Sequence, residues 1–351
     1  MTRRYGGNVA RLLFLGALLA LAGACTPQNP QSTFDALGPV ARDQRFIFLL
    51  IFWLGVFVFI TVEGALLYTI FRFRRRPGVE AREIHGNNTL EVAWTIAPAI
   101  ILIIAAVPTV RVIFSSANSP LPPEKGGLVV EATGNQWWFE FKYDYQGQEV
   151  VTANEMVIPV GEPVNLKLYS KDVIHSFWVP KLAGKTDMVP NNENTMWFQA
   201  DEPGVYYGQC AELCGESHAK MRFRVIAMPR PEFEAWLAKE ASPAAPPTDP
   251  LAQEGEKVFT QAGCIACHTI NGNRVARGRV GPDLTHLASR TTLAAGIMEN
   301  NQENLRRWLE DPESLKPGNL MSRNAPVYTD PARALTDREI SALIAYLQSL
   351  K

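Results

Sequence analysis

Two cysteines and a histidine near the C-terminus form a pattern that binds haem. Cys264 and Cys267 lie in the run CIACH, which ends at His268. Two thiols at this spacing can form thioether bonds to the vinyl groups of a haem, while the imidazole binds its iron. The spacing therefore predicts a covalently bound c-type haem.

The opposite side of the iron needs a second axial ligand, for which there are three candidates. Met321 lies in KPGNLMS, which we predict to be an irregular loop that wraps around a haem edge. Met298 lies in a stretch that we predict to be helical and better suited to the core, and His286 is a weaker third candidate. The sequence favours Met321, because its predicted loop can reach the haem edge. Ligation by histidine and methionine also raises the reduction potential of a haem iron relative to two histidines, which suits an electron donor to copper.

A second set of ligands is compressed into the run CAELCGESHAKM. Thiolates, imidazoles and a thioether in one site favour copper over magnesium, calcium or manganese. Two cysteines four positions apart can both bridge, so we predict two copper ions close together, each with one histidine and one weak axial ligand. A charge shared over such a pair changes bond lengths little, which suits a fast electron relay. The predicted ligands are His175, Cys210, the Glu212 carbonyl, Cys214, His218 and Met221.

Zinc and a disulfide are the alternative interpretations of these residues. Two cysteines and two histidines are common ligands of structural zinc. Zinc does not seek methionine, however, and Met221 belongs to the same run of twelve residues. A disulfide between Cys210 and Cys214 is expected only in an oxidised protein without metal.

The N-terminus predicts export. A basic start, the apolar run LLFLGALLALAGA and small residues before a cut predict a secretory signal over residues 1–24. Cys25 follows the small residues directly, so we predict that it is lipidated and that the mature chain begins there. A plain signal peptide or an uncleaved anchor is the alternative.

Two further apolar segments, residues 46–71 and 92–114, are long enough to cross a bilayer. The loop 72–91 carries RFRRR with Arg82 following, and basic residues concentrate in cytoplasmic loops. We therefore predict a multi-pass protein of the bacterial cell membrane, with residues 25–45 and everything after the second segment on the outer side. Haem c is attached on that side too. Glu63 lies inside the first segment, where we expect it to have a structural role against a partner helix.

The remaining chain divides into two soluble domains. In residues 125–232, short runs of β-branched and aromatic residues between turn residues predict a β-sandwich or barrel. A short helix and a Pro/Ala-rich linker follow over residues 233–250, and residues 251–351 have helical patterns. The net charge of -1 gives no argument for nucleic-acid binding. The predicted strands are LVVEATG, WWFEFKYDY, EPVNLKLYS, NTMWFQA, GVYYGQ and MRFRVIA.

Residues 40–240 resemble cytochrome c oxidase subunit II. The resemblance lies in EVAWTIAPAIIL, GNQWWFEFKY, DVIHSFWVPKLAGKTDMVP and PGVYYGQCAELCGESHAKM. VGPDLTHLASR and KPGNLMS resemble class I cytochromes c, whose fusion to this subunit is typical of caa-type oxidases. The resemblance implies a two-helix transmembrane hairpin, an all-β cupredoxin-like Greek-key copper domain and an all-α cytochrome c domain.

The resemblance also implies roles for single residues. The Glu212 side chain would bind a magnesium ion shared with oxidase subunit I. Glu91 matches a glutamate at the mouth of the proton-conducting K pathway, and Trp137 matches an aromatic that passes electrons inward near the copper. Phe139 departs from the aromatic triplet of the family, since it keeps a ring but has no indole N–H to donate.

By this resemblance the chain is subunit II of a haem-copper terminal oxidase and contains no catalytic residue of its own. It would take electrons at haem c from a soluble cytochrome c or another small donor and relay them through copper to haem a in subunit I. Subunit III is a further expected partner. The alternatives are an electron-accepting subunit of a nitric oxide reductase and a non-catalytic copper-binding assembly protein. Quinol oxidases share the fold but lack the copper ligands.

Overall fold

The computed structural model describes most of the chain. The described residues are Gly16, 29–78, Glu83 and 85–351. The predicted signal sequence apart from Gly16, the predicted lipid site Cys25 and the loop residue Arg82 lie outside them.

Two long apolar helices open the described chain. Helix α1 spans Pro39–Arg72 and helix α2 spans Asn88–Ala117. In the most apolar window of each helix no residue is buried within the chain, so these surfaces suit lipid or partner subunits. Helix α1 begins before the apolar segment predicted from residue 46. The reason is that Val40 and Ala41, at its start, are buried, Val40 in the core of the domain that follows.

Both ends of this hairpin contact the same soluble domain. The backbone N–H of Ala41, near the start of α1, donates to the Leu182 carbonyl at 3.2 Å. The Trp197 indole donates to the carbonyl of Ser115, near the end of α2, at 3.2 Å. The start of α1 and the end of α2 are therefore on the same side of any membrane that the helices cross.

Ten strands form a sandwich of two five-stranded sheets, with strand orders β3-β2-β1-β5-β8 and β4-β10-β9-β6-β7. Phenylalanine rings fill the space between the sheets; Phe139, Phe177 and Phe223 are fully buried there. The predicted all-β, cupredoxin-like sandwich is confirmed. The strands are β1 Leu128–Asn135, β2 Trp138–Tyr145, β3 Gln148–Ala153, β4 Glu155–Pro159, β5 Val164–Ser170, β6 His175–Trp178, β7 Thr186–Met188, β8 Asn194–Phe198, β9 Gly204–Cys210 and β10 Arg222–Met228.

The C-terminal domain is helical, as predicted, and follows helix α3 (Arg230–Glu240) and the Pro/Ala-rich linker. Its first and last long helices pack closely, because a Cβ at Gly255 would lie 1.9 Å from the Ala342 carbonyl oxygen. The rings of Phe259 and Tyr346 meet at the same contact, 5.7 Å apart. The elements are α4 Pro250–Gln261, β11 Thr292–Leu293, β12 Met298–Glu299, α5 Gln302–Glu310, α6 Pro312–Leu315, α7 Leu320–Asn324, α8 Pro326–Thr329 and α9 Asp337–Ser349.

The predicted helix around Met298 is wrong. Met298 lies in β12 and pairs with Leu293 in β11. The turn between these strands contains Ala294, Ala295 and Gly296, whose φ angles are 51°, 63° and 73°. A right-handed helix excludes these left-handed conformations, so the chain must reverse here.

The irregular loop predicted over KPGNLMS is found at residues 316–319 but is wrong at Met321, which lies in the short helix α7. The Asn319 side chain caps this helix by accepting from the backbone N–H of Ser322 at 2.9 Å. A single turn of helix is the local form that this asparagine supports.

Candidate functional site

The six predicted copper ligands converge at one end of the sandwich. His175 is the first residue of β6 and Cys210 is the last residue of β9, and these strands pair in one sheet. The other four ligands lie in the loop 211–221 between β9 and β10. The backbone N–H of Cys210 donates to the Met221 carbonyl at 2.9 Å, so strand pairing holds the two ends of this loop together.

The ligand atoms lie within a few ångströms of one another. The sulfurs of Cys210 and Cys214 are 3.7 Å apart, well beyond the ~2.05 Å of a disulfide bond. His175 Nδ1 is 3.9 Å from Cys210 Sγ, and His218 Nδ1 is 3.5 Å from Cys214 Sγ. Met221 Sδ lies 3.9 Å from Cys214 Sγ. Each sulfur therefore has its own imidazole, and the two cysteines are not bonded to each other.

The weak axial ligands lie beside different sulfurs. The Glu212 carbonyl oxygen is 3.3 Å from Cys210 Sγ, whereas the thioether of Met221 is beside Cys214. Two thiolates, each with one imidazole and one weaker ligand, fit a pair of copper ions better than a single tetrahedral zinc. The donor set thus fits the predicted dinuclear centre.

His175 is held in place from its far side. Its Nε2 lies 2.8 Å from a carboxylate oxygen of Asp172, which leaves Nδ1 beside Cys210. Burial opposes ionisation of Asp172, but hydrogen bonds from His175 and from the backbone N–H of Gln136 lower its pKa. A Cβ at Gly134 would lie 2.6 Å from the His175 ring, so strand β1 approaches this imidazole closely. Such outer contacts orient metal ligands.

A hydrogen bond between the two thiols shifts their pKa values in opposite directions. The S–H of Cys214 lowers the pKa of Cys210, and the interaction with Cys210 together with burial raises the pKa of Cys214. The thiolate is the form that binds metal. One sulfur of the pair is therefore already a good ligand at neutral pH.

The side chain of Glu212 points toward a lysine. Its Oε2 accepts from Lys185 Nζ at 3.2 Å, and the same ammonium donates to Asp187 at 3.0 Å. The backbone and side chain of Glu212 thus point to different neighbours, and a cation bound by this carboxylate would compete with Lys185.

Trp137 lies between the loop 211–221, which we call the copper loop, and the C-terminal domain. Its indole N–H donates to the Cys214 carbonyl at 3.0 Å, and the Gln136 amide donates to the same oxygen at 2.8 Å. The ammonium of Lys316 donates to the Trp137 backbone carbonyl from the other domain. Phe139 is fully buried in the sandwich, where its ring packs against Phe223.

A large apolar cavity occupies the C-terminal domain, and the predicted haem ligands line it. Cys264, Cys267, His268 and Met321 all contribute to its wall, whereas Met298 and His286 do not. His286 is instead engaged with the Ser242 carbonyl, 3.0 Å from its Nε2. An apolar cavity with two thiols, an imidazole and a thioether on its wall fits a haem attached through CIACH.

The tautomer of His268 follows from its contacts. Nδ1 lies 2.8 Å from the Pro282 carbonyl oxygen, which can only accept, so Nδ1 carries the proton and Nε2 is left to bind a metal. Burial lowers the pKa of His268, which keeps the ring neutral. Burial likewise raises the pKa of Cys264 to about 11.

The copper domain forms part of the cavity wall. Trp137, Trp138 and Ala153 of the sandwich line the cavity together with the haem motif. Since the Trp137 indole also contacts the Cys214 carbonyl, one side chain joins the cavity to the copper loop.

Polar contacts hold the two domains together, and no local pattern in the sequence indicates them. The buried carboxylate of Glu155 accepts from the backbone N–H and hydroxyl groups of Thr291 and Thr292 at 2.7–3.0 Å. Lys316 is 4% exposed and also donates to the Ala294 carbonyl at 3.2 Å. Burial lowers the pKa of Lys316 to about 7. These side chains show their role only once the domains are placed side by side.

The two membrane glutamates lie on different helices. Glu91 is in the first turn of α2, where the Asn87 side chain accepts from the N–H of Leu90 at 3.2 Å. Glu63 is half-buried in a groove whose wall includes Ile101 and Ala105 of α2. Glu63 thus faces the neighbouring helix of its own chain.

Three family models match successive parts of the chain. The transmembrane domain of cytochrome C oxidase subunit II matches residues 28–112, and the periplasmic domain of the same subunit matches residues 144–228. Cytochrome c matches residues 252–351. A protein of Alkalihalophilus pseudofirmus named cytochrome c oxidase subunit 2 is 40% identical over 351 residues, with 98% of each chain covered.

The chain belongs to the cytochrome c oxidase subunit II family. The subunit 2 of Bacillus sp. PS3 is also 40% identical, over 97% of each chain. A quinol oxidase subunit 2 of Bacillus subtilis is 34% identical over 66% of this chain and 73% of its own. The crystal structure of the periplasmic domain of subunit II from Bradyrhizobium japonicum covers 34% of this chain and 96% of its own, with 34% identity and a TM-score of 0.32.

Membership in the family establishes the general role of this subunit II. The chain is a membrane-anchored subunit II of an oxidase, with a cytochrome c domain at its C-terminal end. Its periplasmic-domain family implies copper, and its C-terminal domain implies haem. The relatives that match over nearly the whole chain are named as oxidase subunits, which argues against a copper assembly protein.

Proposed function

We propose that this subunit II accepts electrons at its C-terminal domain and delivers them through the copper-binding loop to haem a and the oxygen-reducing site of subunit I. A haem c on Cys264, Cys267, His268 and Met321, and two copper ions on the six ligands described above, would supply the redox chemistry. The position of Trp137 is the observation that carries this proposal. It lines the haem cavity and donates to the carbonyl of a copper ligand, Cys214.

The residues of the chain contribute rigidity to this path. The Trp137 backbone carbonyl and its indole N–H are both hydrogen bonded, one to each domain. A relay side chain fixed at both ends needs little rearrangement when an electron passes. Cys210 and Cys214 would serve the same purpose if they hold two copper ions, because a charge shared over both ions changes bond lengths little.

The copper part is tested by Cys214→Ser in the whole oxidase complex. We expect the near-infrared absorption and the electron-spin signal of an electron shared over two coppers to disappear, while the covalent haem stays. Leu213→Ala is the matched control, because Leu213 is in the same loop but 78% exposed. Survival of the shared-electron signal in Cys214→Ser would mean that the ligand set is wrong.

The axial ligand is tested by Met321→Leu against Met298→Leu. Both are thioethers in the same domain, but only Met321 lines the cavity. We expect Met321→Leu to abolish the sulfur-to-iron absorption band and to lower the haem potential, and Met298→Leu to leave both unchanged. The reverse result would assign the iron to Met298.

The proposed function also includes an orientation in the membrane, a proton path and a magnesium site. We propose that both soluble domains lie on the outer side, because both hairpin ends contact the sandwich and the connecting loop is rich in arginine. Glu91 would lie near the inner boundary, at the mouth of a proton path, and subunit III would be a further partner. Magnesium would bind the Glu212 carboxylate in exchange for Lys185.

Nitric oxide reduction is the second candidate and is separated by turnover. The purified complex, reduced by ascorbate through a small mediator, is supplied with oxygen or with nitric oxide. Faster consumption of oxygen supports the oxidase, and preferential consumption of nitric oxide would overturn it.

A further inference from the structure

The C-terminal domain covers the copper domain at Trp137. Trp137 is 6% exposed and Trp138 is 8% exposed, and both form part of the cavity wall. The Lys316 ammonium occupies the hydrogen-bonding position at the Trp137 carbonyl. A soluble donor cannot contact Trp137 directly in this arrangement, so a donor to the haem cavity has to dock on the outer surface of the C-terminal domain.

The loop after the haem motif offers such a surface. Val280 lines the cavity and is nevertheless 53% exposed, so at this residue the cavity wall is also the molecular surface. The loop is fixed to the haem motif, since the N–H groups of Gly278 and Val280 donate to the carbonyls of Ile265 and Cys267 at 3.2 and 3.1 Å. A partner in contact with Val280 would be close to any haem on Cys267.

This loop has an unbalanced positive charge. Arg274, Arg277 and Arg279 are exposed, and in the described part of the chain none of them has a carboxylate oxygen within 4.0 Å. Four other arginines of the domain are paired with carboxylates, among them Arg323 with Glu216 at 2.9 Å and Arg338 with Glu254 at 2.8 Å. Between Glu256 and Asp283 the chain has no acidic residue at all.

Exposed apolar groups accompany the charges. Val275 is 54% exposed and Val280 is 53% exposed, so two apolar side chains lie among the three arginines along the loop. Small apolar contacts surrounded by charge are suited to brief electron-transfer encounters, because opposite charges steer the partners and the small contact lets them separate. We define the arginine surface as Arg274, Val275, Arg277, Arg279 and Val280.

We propose that the arginine surface docks a soluble electron carrier whose contact face is acidic. The inference rests on the proposed function, because it needs a haem at CIACH. In the docked complex one electron would pass from the reduced carrier to a haem held by Cys264, Cys267 and His268, with no bond made or broken and no proton moved. The acidic face and the unpaired arginines would set the rate of encounter.

The test uses one probe in two charge forms, with the whole complex in detergent. The probe is a reduced basic class I cytochrome c, used as it is or with its surface lysines succinylated to make it acidic. We expect the wild-type complex to bind the oxidised acidic form, which cannot turn over, with the lower Kd and to oxidise its reduced form with the lower KM. Added salt should remove both preferences. The variant Arg274→Glu/Arg277→Glu/Arg279→Glu should raise the KM for the acidic form about tenfold or more and lower it for the basic form.

Two controls separate the possible failures. Arg307→Glu makes the same charge change at an exposed arginine on α5 and should leave both KM values unchanged. Turnover with ascorbate and a small mediator should be equal in all variants, and its absence in the wild type would sink the proposed function instead. An unchanged KM in the triple variant, an equal shift in Arg307→Glu, or a shift seen only in vesicles of anionic lipid would overturn the docking proposal.

Discussion

The copper loop and the haem cavity position their ligands in different ways. Each predicted copper ligand already lies within 4 Å of a cysteine sulfur, since strand pairing and the Asp172–His175 contact hold the ligands there. The haem ligands instead surround a large apolar cavity, and much of the helical core faces it. The metal site lies on a sandwich whose core is filled by its own side chains, whereas the helical domain surrounds a cavity that fits its cofactor.

The largest effect expected from this difference follows removal of both haem thiols, Cys264→Ala/Cys267→Ala. The C-terminal domain should lose its covalent haem and become strongly sensitive to protease, because its apolar cavity is no longer filled. The copper absorption should survive, since the sandwich supplies all its ligands. Haem staining of the denatured chain and near-infrared spectra of the complex measure the two outcomes, and loss of both signals would contradict the comparison.

The affinity of the copper site should depend on the contacts that orient its ligands from outside. Asp172→Asn weakens the contact that orients His175 and should reduce copper affinity roughly 10- to 100-fold. Competition with a chelator measures the affinity. Asp144→Asn, an exposed aspartate that accepts from the N–H of Gly147 far from the ligands, is the control and should leave it unchanged.

The contact between the two regions should respond to pH through Lys316. Its pKa in the folded protein, about 7, lies below the ordinary value of 10.5, so the folded state binds fewer protons than the unfolded state between these values. The free energy of unfolding should therefore rise with pH above about 7, by at most about 1.4 kcal/mol per unit. The free-energy cost of burying Lys316 is complete below pH 7 and absent above pH 10.5.

Thermal unfolding of the complex from pH 7 to pH 9.5 checks the role of Lys316. Lys316→Met should flatten the pH dependence of the midpoint temperature of the first unfolding transition. Lys257→Met, which changes an exposed lysine, should keep the wild-type slope. Equal slopes in wild type and Lys316→Met would show that another group is responsible.

The smallest effect is expected at Glu155. Glu155→Gln keeps the shape but removes the charge from the hydrogen bonds to Thr291 and Thr292, and should weaken the docking of the two domains by about 1–2 kcal/mol. Protease cleavage in the linker before Pro250 should become faster. Glu149→Gln, at an exposed glutamate, should not change the cleavage rate.

Local patterns explain what could be predicted from the sequence. The helices of the hairpin, six of the ten strands and the spacing of both ligand motifs depend on residues close together in the chain. Strand β6 was missed although it begins with His175, because four residues are too few to show an alternating pattern. The turn before Met298 was missed because two alanines adopt a left-handed conformation that their side chains do not favour.

Long-range contacts explain most of the rest. Lys316 and Trp137 are 179 positions apart, and Glu155 and Thr291 are 136 positions apart. No window of sequence contains both partners of either contact. The ligand motifs could therefore be recognised, but the surface that joins the two domains could not.

The reversal at Ala294, Ala295 and Gly296 has a consequence for how the protein is assembled. The Ala295 carbonyl accepts from the N–H of Arg222, next to Met221, while Ala294 and Ala295 also border the haem cavity. Left-handed alanines persist only when their surroundings impose them. The sandwich therefore helps to impose the backbone conformation at this edge of the C-terminal domain, and it precedes that domain in the order of synthesis.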